Sequence, residues 1–173
     1  EQSNGLPPDY RQPLSIENYL TSQSNVEVRK SKNPWLTGDH VKTMVIDGKL
    51  AYIGGMNIGR EYRYDWHDMM VEIQGPVVDK INRDFQIAWG RAGMWGDFSY
   101  LFNWREKTLN RDLGGYPVRL LYTKPGQDEI YQMQREAILR SKRYIYIENA
   151  YFTDDSLLRA LIVARRRGVD VRV

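Results

Sequence analysis

The sequence predicts an α/β fold, and three observations lead to that prediction. From residue 26 onward, stretches with the two-residue alternation of strands take turns with stretches that repeat apolar residues at helical spacing. An Asp-Gly pair at 47–48 separates two apolar runs, which indicates a β-hairpin. A hydrophobic content of 42% is enough to build a packed core, so the chain is not expected to be disordered.

The first half of the chain is predicted to form an irregular lead-in followed by alternating elements. Prolines and a glycine break any periodicity up to Pro13. The elements that follow are a helix at 16–22, strands at 26–30, 40–47, 50–57 and 67–74, and a helix from Pro76 to Gly93. The apolar face of that last helix consists of Val78, Ile81, Phe85, Ala88 and Trp89.

The pattern starts again after an aromatic-rich insert. The predicted elements are strands at 116–123, 144–152 and 169–173 and helices at 128–143 and 155–167. In the last helix the predicted inward residues are Leu157, Leu158, Leu161 and Ile162, and Gly168 is the predicted cap.

A short repeat indicates a duplicated domain. The segment "NVEVR" at 25–29 resembles "GVDVR" at 168–172, and each follows a predicted helix. We therefore expect residues 1–92 to be the C-terminal part of one domain, 93–116 a linker or insert, and 117–173 the N-terminal part of a second copy. The strand that reaches Val173 without a turn also suggests that the sequence is a fragment.

Composition excludes several kinds of site. The chain has no cysteine, so disulfides, thiolate catalysis and cysteine-based zinc sites are excluded. A net charge of +3 suits a phosphate-bearing partner. No apolar run approaches the roughly 18 residues that a membrane span needs, and no leader is recognised at Glu1.

The hairpin carries the residues with the clearest chemical potential. Residues two apart on a strand share a face, so His40 and Lys42 are expected to point the same way. A phosphate between them would explain this pair, because the ammonium neutralises oxygens while the imidazole attacks phosphorus or moves a proton. Asn57 would donate to the same oxygens, and Gly55, which follows Gly54, would let the backbone approach them.

A catalytic histidine also needs an acceptor for its second nitrogen, and Asp68 is the candidate. The competing structural interpretations are that Asp47 only stabilises the turn and that His67 lies on a strand surface.

These residues match a known signature. His40, Lys42 and Asp47 fit H-x-K-x4-D, and residues 54–57 fit G-[SG]-x-N, so the chain resembles the phospholipase D superfamily. The surrounding sequence, which includes "VIDGKLAYIGGMNIGREY" and "WHDMMVEIQGPVV", resembles bacterial cardiolipin synthases most.

The resemblance implies an α/β/α sandwich made of two copies, each supplying one motif to a shared site. It implies a phosphohistidine intermediate, with His40 as one of the two catalytic histidines, Lys42 and Asn57 as phosphate ligands, and Asp47 and Asp68 as further members of the catalytic set. No metal or other cofactor is implied. Gly55 stands where several members carry serine, so one hydroxyl donor to the phosphate is missing.

The resemblance also implies partners and a location. The expected partners are a phospholipid substrate, a membrane surface, and a second motif from the rest of the same chain or from a second subunit. The expected location is membrane-associated in a bacterium, or secreted.

Two segments have open interpretations. The insert holds aromatic residues that either pack against a domain or contact the headgroup region of a bilayer: Trp95, Phe98, Tyr100, Phe102 and Trp104. The "ARRRG" segment at 164–168 is either a solvated helix end or a contact for anionic headgroups or nucleic acid.

The leading hypothesis is a phosphatidyltransferase or phospholipid hydrolase. The alternatives are a nuclease on the same scaffold and a binding module that has lost catalysis. The absence of a long basic stripe and of a base-stacking motif favours phospholipid over nucleic acid.

Overall fold

A computed structural model describes residues 15–30, 40–92 and 115–173. The lead-in up to Pro13 and the aromatic positions of the insert lie outside these residues. The chain divides into two compact units, with the boundary between Tyr116 and Pro117. The first unit combines helices with one three-stranded sheet and the second combines helices with two two-stranded sheets, so the predicted α/β class is confirmed.

The first element among the described residues is helix α1 (Ile16–Gln23), whose bounds agree with the prediction. The Ser15 side chain caps this helix by accepting a hydrogen bond from the backbone N–H of Asn18. The strand predicted at 26–30 does not form, so this prediction is wrong. Alternation alone cannot make a strand, because a ladder needs a partner, and no described residue pairs with this segment.

A three-stranded antiparallel sheet forms the centre of the first unit. Its strands are β1 (Thr43–Ile46), β2 (Leu50–Gly54) and β3 (Met70–Gln74), in that order. The hairpin and the third strand are thus confirmed within narrower bounds. A short helix, α2 (Arg60–Tyr64), which the sequence did not predict, lies between β2 and β3.

Helix α3 (Val77–Arg91) contacts all three strands and buries one face of the sheet. Ala51 and Ile73 lie opposite each other on β2 and β3, and both are buried together with Val78 and Ile81 of the helix. Pro76 precedes the first helical residue, where its missing N–H costs nothing. Only the first half of the predicted apolar face is buried, since Phe85 remains 45% exposed.

The second unit holds a tight pair of two-residue strands, β4 (Thr123–Lys124) and β5 (Gln127–Asp128), then helix α4 (Glu129–Arg140). The strand predicted at 116–123 is therefore wrong except at its last residue. Strand β6 (Tyr144–Tyr146) pairs in parallel with β7 (Asp170–Arg172), and helix α5 (Asp155–Arg166) connects them.

The core of the second unit lies between α4, α5 and the β6–β7 pair. Its buried members are Ile138, Leu157, Ala160, Leu161, Ala164 and Val169. The sequence predicted Leu158 and Ile162 to point inward, but they are 36% and 52% exposed. Helix α5 instead buries two alanines, Ala160 and Ala164, in this core. Gly168 has φ +91°, as expected for the residue that ends α5.

Candidate active site

The hairpin turn sits at one end of β1 and β2 and contains Asp47. Asp47 and Gly48 have φ of 54° and 64°, the positive values that a type I′ turn needs at both central positions, and the Lys49 N–H donates to the Ile46 carbonyl at 3.0 Å. Aspartate tolerates this left-handed conformation better than most residues do. Strand β1 separates Asp47 from Lys42 by roughly 16 Å at the usual rise per residue. Asp47 therefore shapes the turn at a distance from the other motif residues.

The other, open end of the hairpin carries His40 and Lys42. The Lys42 ammonium donates a hydrogen bond to the backbone carbonyl of His40 at 2.9 Å. The Gly54 N–H donates to the Lys42 carbonyl at 3.4 Å, which extends the β1–β2 pairing by one step. His40 is exposed and Lys42 is half-buried. The two side chains that the sequence analysis paired thus lie at one end of the sheet and remain open to solvent.

Lys42 belongs to the sheet face that α3 does not cover. Side chains alternate along the strand, so Thr43 and Val45 share the helix-covered face with Ala51, and Lys42 and Met44 lie on the other. Met44 is 46% exposed, which leaves this face open among the described residues.

Two glycines bring β2 close to the start of β3. A Cβ at Gly54 would lie 2.6 Å from the carbonyl oxygen of Met69, so no side chain fits there without movement of the backbone. A Cβ at Gly55 would lie 2.9 Å from Oδ1 of Asp68. The Asp68 carboxylate therefore rests directly against the Gly55 backbone, in the space that a serine at this position would need.

Asp68 is not bonded to His40 in this structure. Its Oδ1 accepts a hydrogen bond from the N–H of Met69 at 2.8 Å, and no hydrogen bond joins it to the His40 ring. Its role in orienting the histidine stays a prediction. His67 is exposed in the segment before β3 rather than on a strand.

Asn57 has a partner that the sequence analysis missed. Its amide donates to the hydroxyl of Tyr62 in α2 at 2.7 Å. The ring of Tyr62 meets that of Trp66 edge to face, with 4.9 Å between centroids. The spacing of these two aromatic residues, four apart, is the signal that could have predicted a short helix here. The amide of Asn57 is thus held by a half-buried phenol.

A second polar pair lies on the Lys42 face of the sheet. Tyr52 and Glu72 are directly opposite each other on β2 and β3, and the Tyr52 hydroxyl donates to the Glu72 carboxylate at 2.7 Å. This hydrogen bond to a carboxylate raises the pKa of Tyr52 above its usual value. Tyr52 is therefore a neutral donor at physiological pH.

The described residues provide neither a metal site nor a membrane span. No three His, Asp or Glu side chains among them lie close enough to hold a metal ion. No helix in the described ranges is long and apolar enough to cross a bilayer.

Comparison with known proteins gives one family and a consistent set of relatives. Residues 7–89 match the family model described as "Cardiolipin synthase, PLD-like domain". Cardiolipin synthase 1 of Staphylococcus aureus (strain COL) is 33% identical over 144 residues, which cover 78% of this chain and 29% of that protein. The cardiolipin synthase of Listeria welshimeri is 30% identical over 146 residues, which cover 78% of this chain and 30% of that protein.

The chain thus spans less than a third of the length of the curated relatives it matches. No solved structure gives a significant match.

Proposed function

We infer that this chain, which belongs to the phospholipase D superfamily, forms one half of the active site of a phosphatidyltransferase that makes cardiolipin. The observation that carries this proposal is the arrangement at the open end of the hairpin. There the Lys42 ammonium lies 2.9 Å from the His40 carbonyl, and Gly55 lets the Asp68 carboxylate lie against the strand that pairs with Lys42. An ammonium has three N–H donors, and one of them goes to His40, so the same group has donors to offer to a phosphate oxygen.

The proposed chemistry is a double displacement at phosphorus. A ring nitrogen of His40 attacks the phosphodiester of a phospholipid, the bond to the leaving alcohol breaks, and a second histidine donates the proton that this alcohol takes up. The phosphatidyl group is then bound to His40. The second histidine removes a proton from an acceptor alcohol, whose oxygen attacks phosphorus and releases His40. Two phosphatidylglycerol molecules thus give cardiolipin and glycerol.

The other candidate site residues of this chain each have a role in those steps. Lys42 and Asn57 donate to the non-bridging oxygens, where negative charge builds up in the transition state. Asp68 accepts the second N–H of the His40 ring after a change of side-chain rotamer, and Asp47 keeps the hairpin turn in its left-handed conformation. Gly55 leaves room for the Asp68 carboxylate.

The second histidine comes from a second motif, in the rest of the same polypeptide or in a second subunit. We propose that residues 1–92 and 117–173 belong to two copies of one domain, joined by 93–116. The enzyme then works at a membrane surface, where its phospholipid substrate is.

The test uses a protein that contains this chain and supplies a second motif, incubated with labelled phosphatidylglycerol. We expect labelled cardiolipin, and His40→Asn to reduce its formation by about 10³-fold or more. The matched control is His67→Asn, which changes the other of the two histidines and should leave the rate within about twofold. A base-quenched reaction should carry the label on His40, identified by peptide mass spectrometry.

Three results would contradict the proposal. Equal loss in both histidine variants would mean that His40 has no special role. Full activity of this chain alone, as a monomer, would refute the need for a second motif. Cleavage of a labelled oligonucleotide with no reaction of the lipid would replace the phosphatidyltransferase with the nuclease alternative.

A further inference from the structure

The second unit contains an open cavity of about 570 Å³ where α4 and α5 end. The residues that line it are Leu139, Arg140, Ser141, Lys142, Arg167 and Val169. This volume lies in the range of cavities that bind small ligands, roughly 300–1,000 Å³. The cavity belongs to a different unit from His40, and none of its lining residues has a role in the chemistry proposed above.

The cavity joins two basic segments that are distant in sequence, at 140–143 and 165–167. The contact between them is the guanidinium of Arg167, which donates to the carbonyls of Ile138 at 3.1 Å and Ser141 at 3.4 Å. The last carbonyls of a helix have no partner within the helix and carry its negative dipole end. Arg167 donates hydrogen bonds to these carbonyls at the end of α4. Their partial negative charge therefore repels an anion in the cavity less.

The charges around the cavity are unbalanced. Arg140, Lys142 and Arg167 line it, and no acidic side chain does. Arg140 forms an ion pair with Glu136 one turn earlier in α4, which offsets one of the three charges. The like charges that remain repel each other, and an anion between them would remove this cost. Arginine side chains present the planar fork that matches phosphate oxygens.

The other lining groups narrow the class of anion. Leu139 is 39% exposed and Val169 is buried, so the cavity has an apolar wall beside its cationic one. A lipid headgroup presents a phosphate next to carbon-rich glycerol, which suits both walls. A single strand of nucleic acid would need aromatic platforms for its bases, and no aromatic side chain lines the cavity.

We propose that this cavity binds the phosphate of an anionic phospholipid headgroup and so attaches the second unit to the membrane surface. The site takes lipid without reacting with it. It therefore does not depend on the catalytic proposal, and a lipid that is not a substrate of that reaction can test it.

The test measures binding of the chain to vesicles of 70% phosphatidylcholine and 30% phosphatidylserine by co-sedimentation, with pure phosphatidylcholine vesicles in parallel. Arg140→Gln/Lys142→Gln removes two lining charges and leaves Arg167 to hold α4. A basic residue at an anionic surface contributes about fivefold to binding, so this double variant should bind roughly 25-fold more weakly.

The matched control is Arg135→Gln/Arg159→Gln, which removes two exposed positive charges from the same two helices outside the cavity. It should bind within about twofold of the parent chain. His40→Asn should also bind normally, which separates this site from the catalytic one. Circular dichroism melting curves establish that all variants are folded.

Five results would overturn the proposal. Equal weakening of the two double variants would mean that surface charge alone attracts the chain. Unchanged binding of Arg140→Gln/Lys142→Gln, or equal binding to pure phosphatidylcholine, would exclude the cavity as an anionic-lipid site. Displacement by micromolar inorganic phosphate at fixed ionic strength would assign it to free phosphate. Tighter binding of a 20-nucleotide single strand through the same two residues would assign it to nucleic acid.

Discussion

The close approach of β2 and β3 at Gly54 makes this glycine a sensitive position in the first unit. Gly54 pairs with Met70, and an alanine Cβ there would lie 2.6 Å from the Met69 carbonyl oxygen and 2.9 Å from the Met70 Cα. Ordinary contacts of a Cβ begin at 3.4 Å, so one strand must shift by nearly an ångström. Both contacts are with backbone atoms and cannot be relieved by a side-chain rotation. We expect Gly54→Ala to reduce the free energy of unfolding of the first unit by about 2 kcal/mol.

Gly90 provides a control with the same chemical change and the opposite expected sign. It lies within α3, and a Cβ there would meet nothing within 4 Å. Alanine is the better helix former, so Gly90→Ala should raise the free energy of unfolding by about 0.5 kcal/mol. All five tryptophans lie before Pro117, so tryptophan fluorescence in a urea titration reports on the first unit alone.

The test is whether Gly54→Ala lowers and Gly90→Ala raises the free energy of unfolding of the first unit. If Gly54→Ala were as stable as the parent chain, the two strands could not approach as closely as 2.6 Å implies. If both alanines destabilised the first unit equally, loss of glycine flexibility rather than steric contact would be the main cause of the destabilisation.

Two further predictions concern hydrogen bonds near the candidate site. Tyr62→Phe removes the acceptor of the Asn57 amide, so in a protein with both motifs kcat should fall about fivefold with little change in KM. The control variant Tyr64→Phe, at an exposed position, should change neither constant. Equal effects of the two variants would contradict a role of Tyr62 in positioning Asn57. Glu72→Gln should lower the pKa of Tyr52 toward its usual value, which the chemical shift of the Tyr52 Cζ follows. Because the pKa of Tyr52 is higher in the folded state, the hydrogen bond contributes stability below about pH 10, and this contribution is lost as the pH rises through the raised pKa. The stability of Glu72→Gln should therefore not show this decrease at high pH.

The sequence predicted best what neighbouring residues decide. The Asp47-Gly48 turn depends on two residues that adopt positive φ, and the position of Lys42 near His40 depends on one short stretch of chain. Predictions from the sequence were wrong where the structure of a segment depends on contacts with residues distant in the chain. Residues 26–30 alternate as a strand does but lack a partner strand in the described chain. Helix α5 buries Ala160 rather than Leu158 in the core.

The same distinction between local and distant contacts applies to the candidate site. Recognition of the motif located His40, Lys42 and Asn57, since their order in the chain is the signal. Nothing in that order indicated that Asn57 would bond to Tyr62, because this contact depends on how α2 folds back after the second strand. The basic cavity was also hidden, because its two segments meet only when α4 and α5 pack together.

In both units the groups that hold the fold together also shape the proposed sites. The contact that makes Gly54 intolerant of a side chain also keeps the start of β3 where Asp68 touches Gly55. Arg167 closes the end of α4 and at the same time supplies a wall of the cavity. Loss of function on changing Gly54 or Arg167 would therefore not distinguish a damaged fold from a damaged site. Lys142 lines the cavity without contacting a backbone carbonyl in the described chain, so a substitution there separates binding from stability.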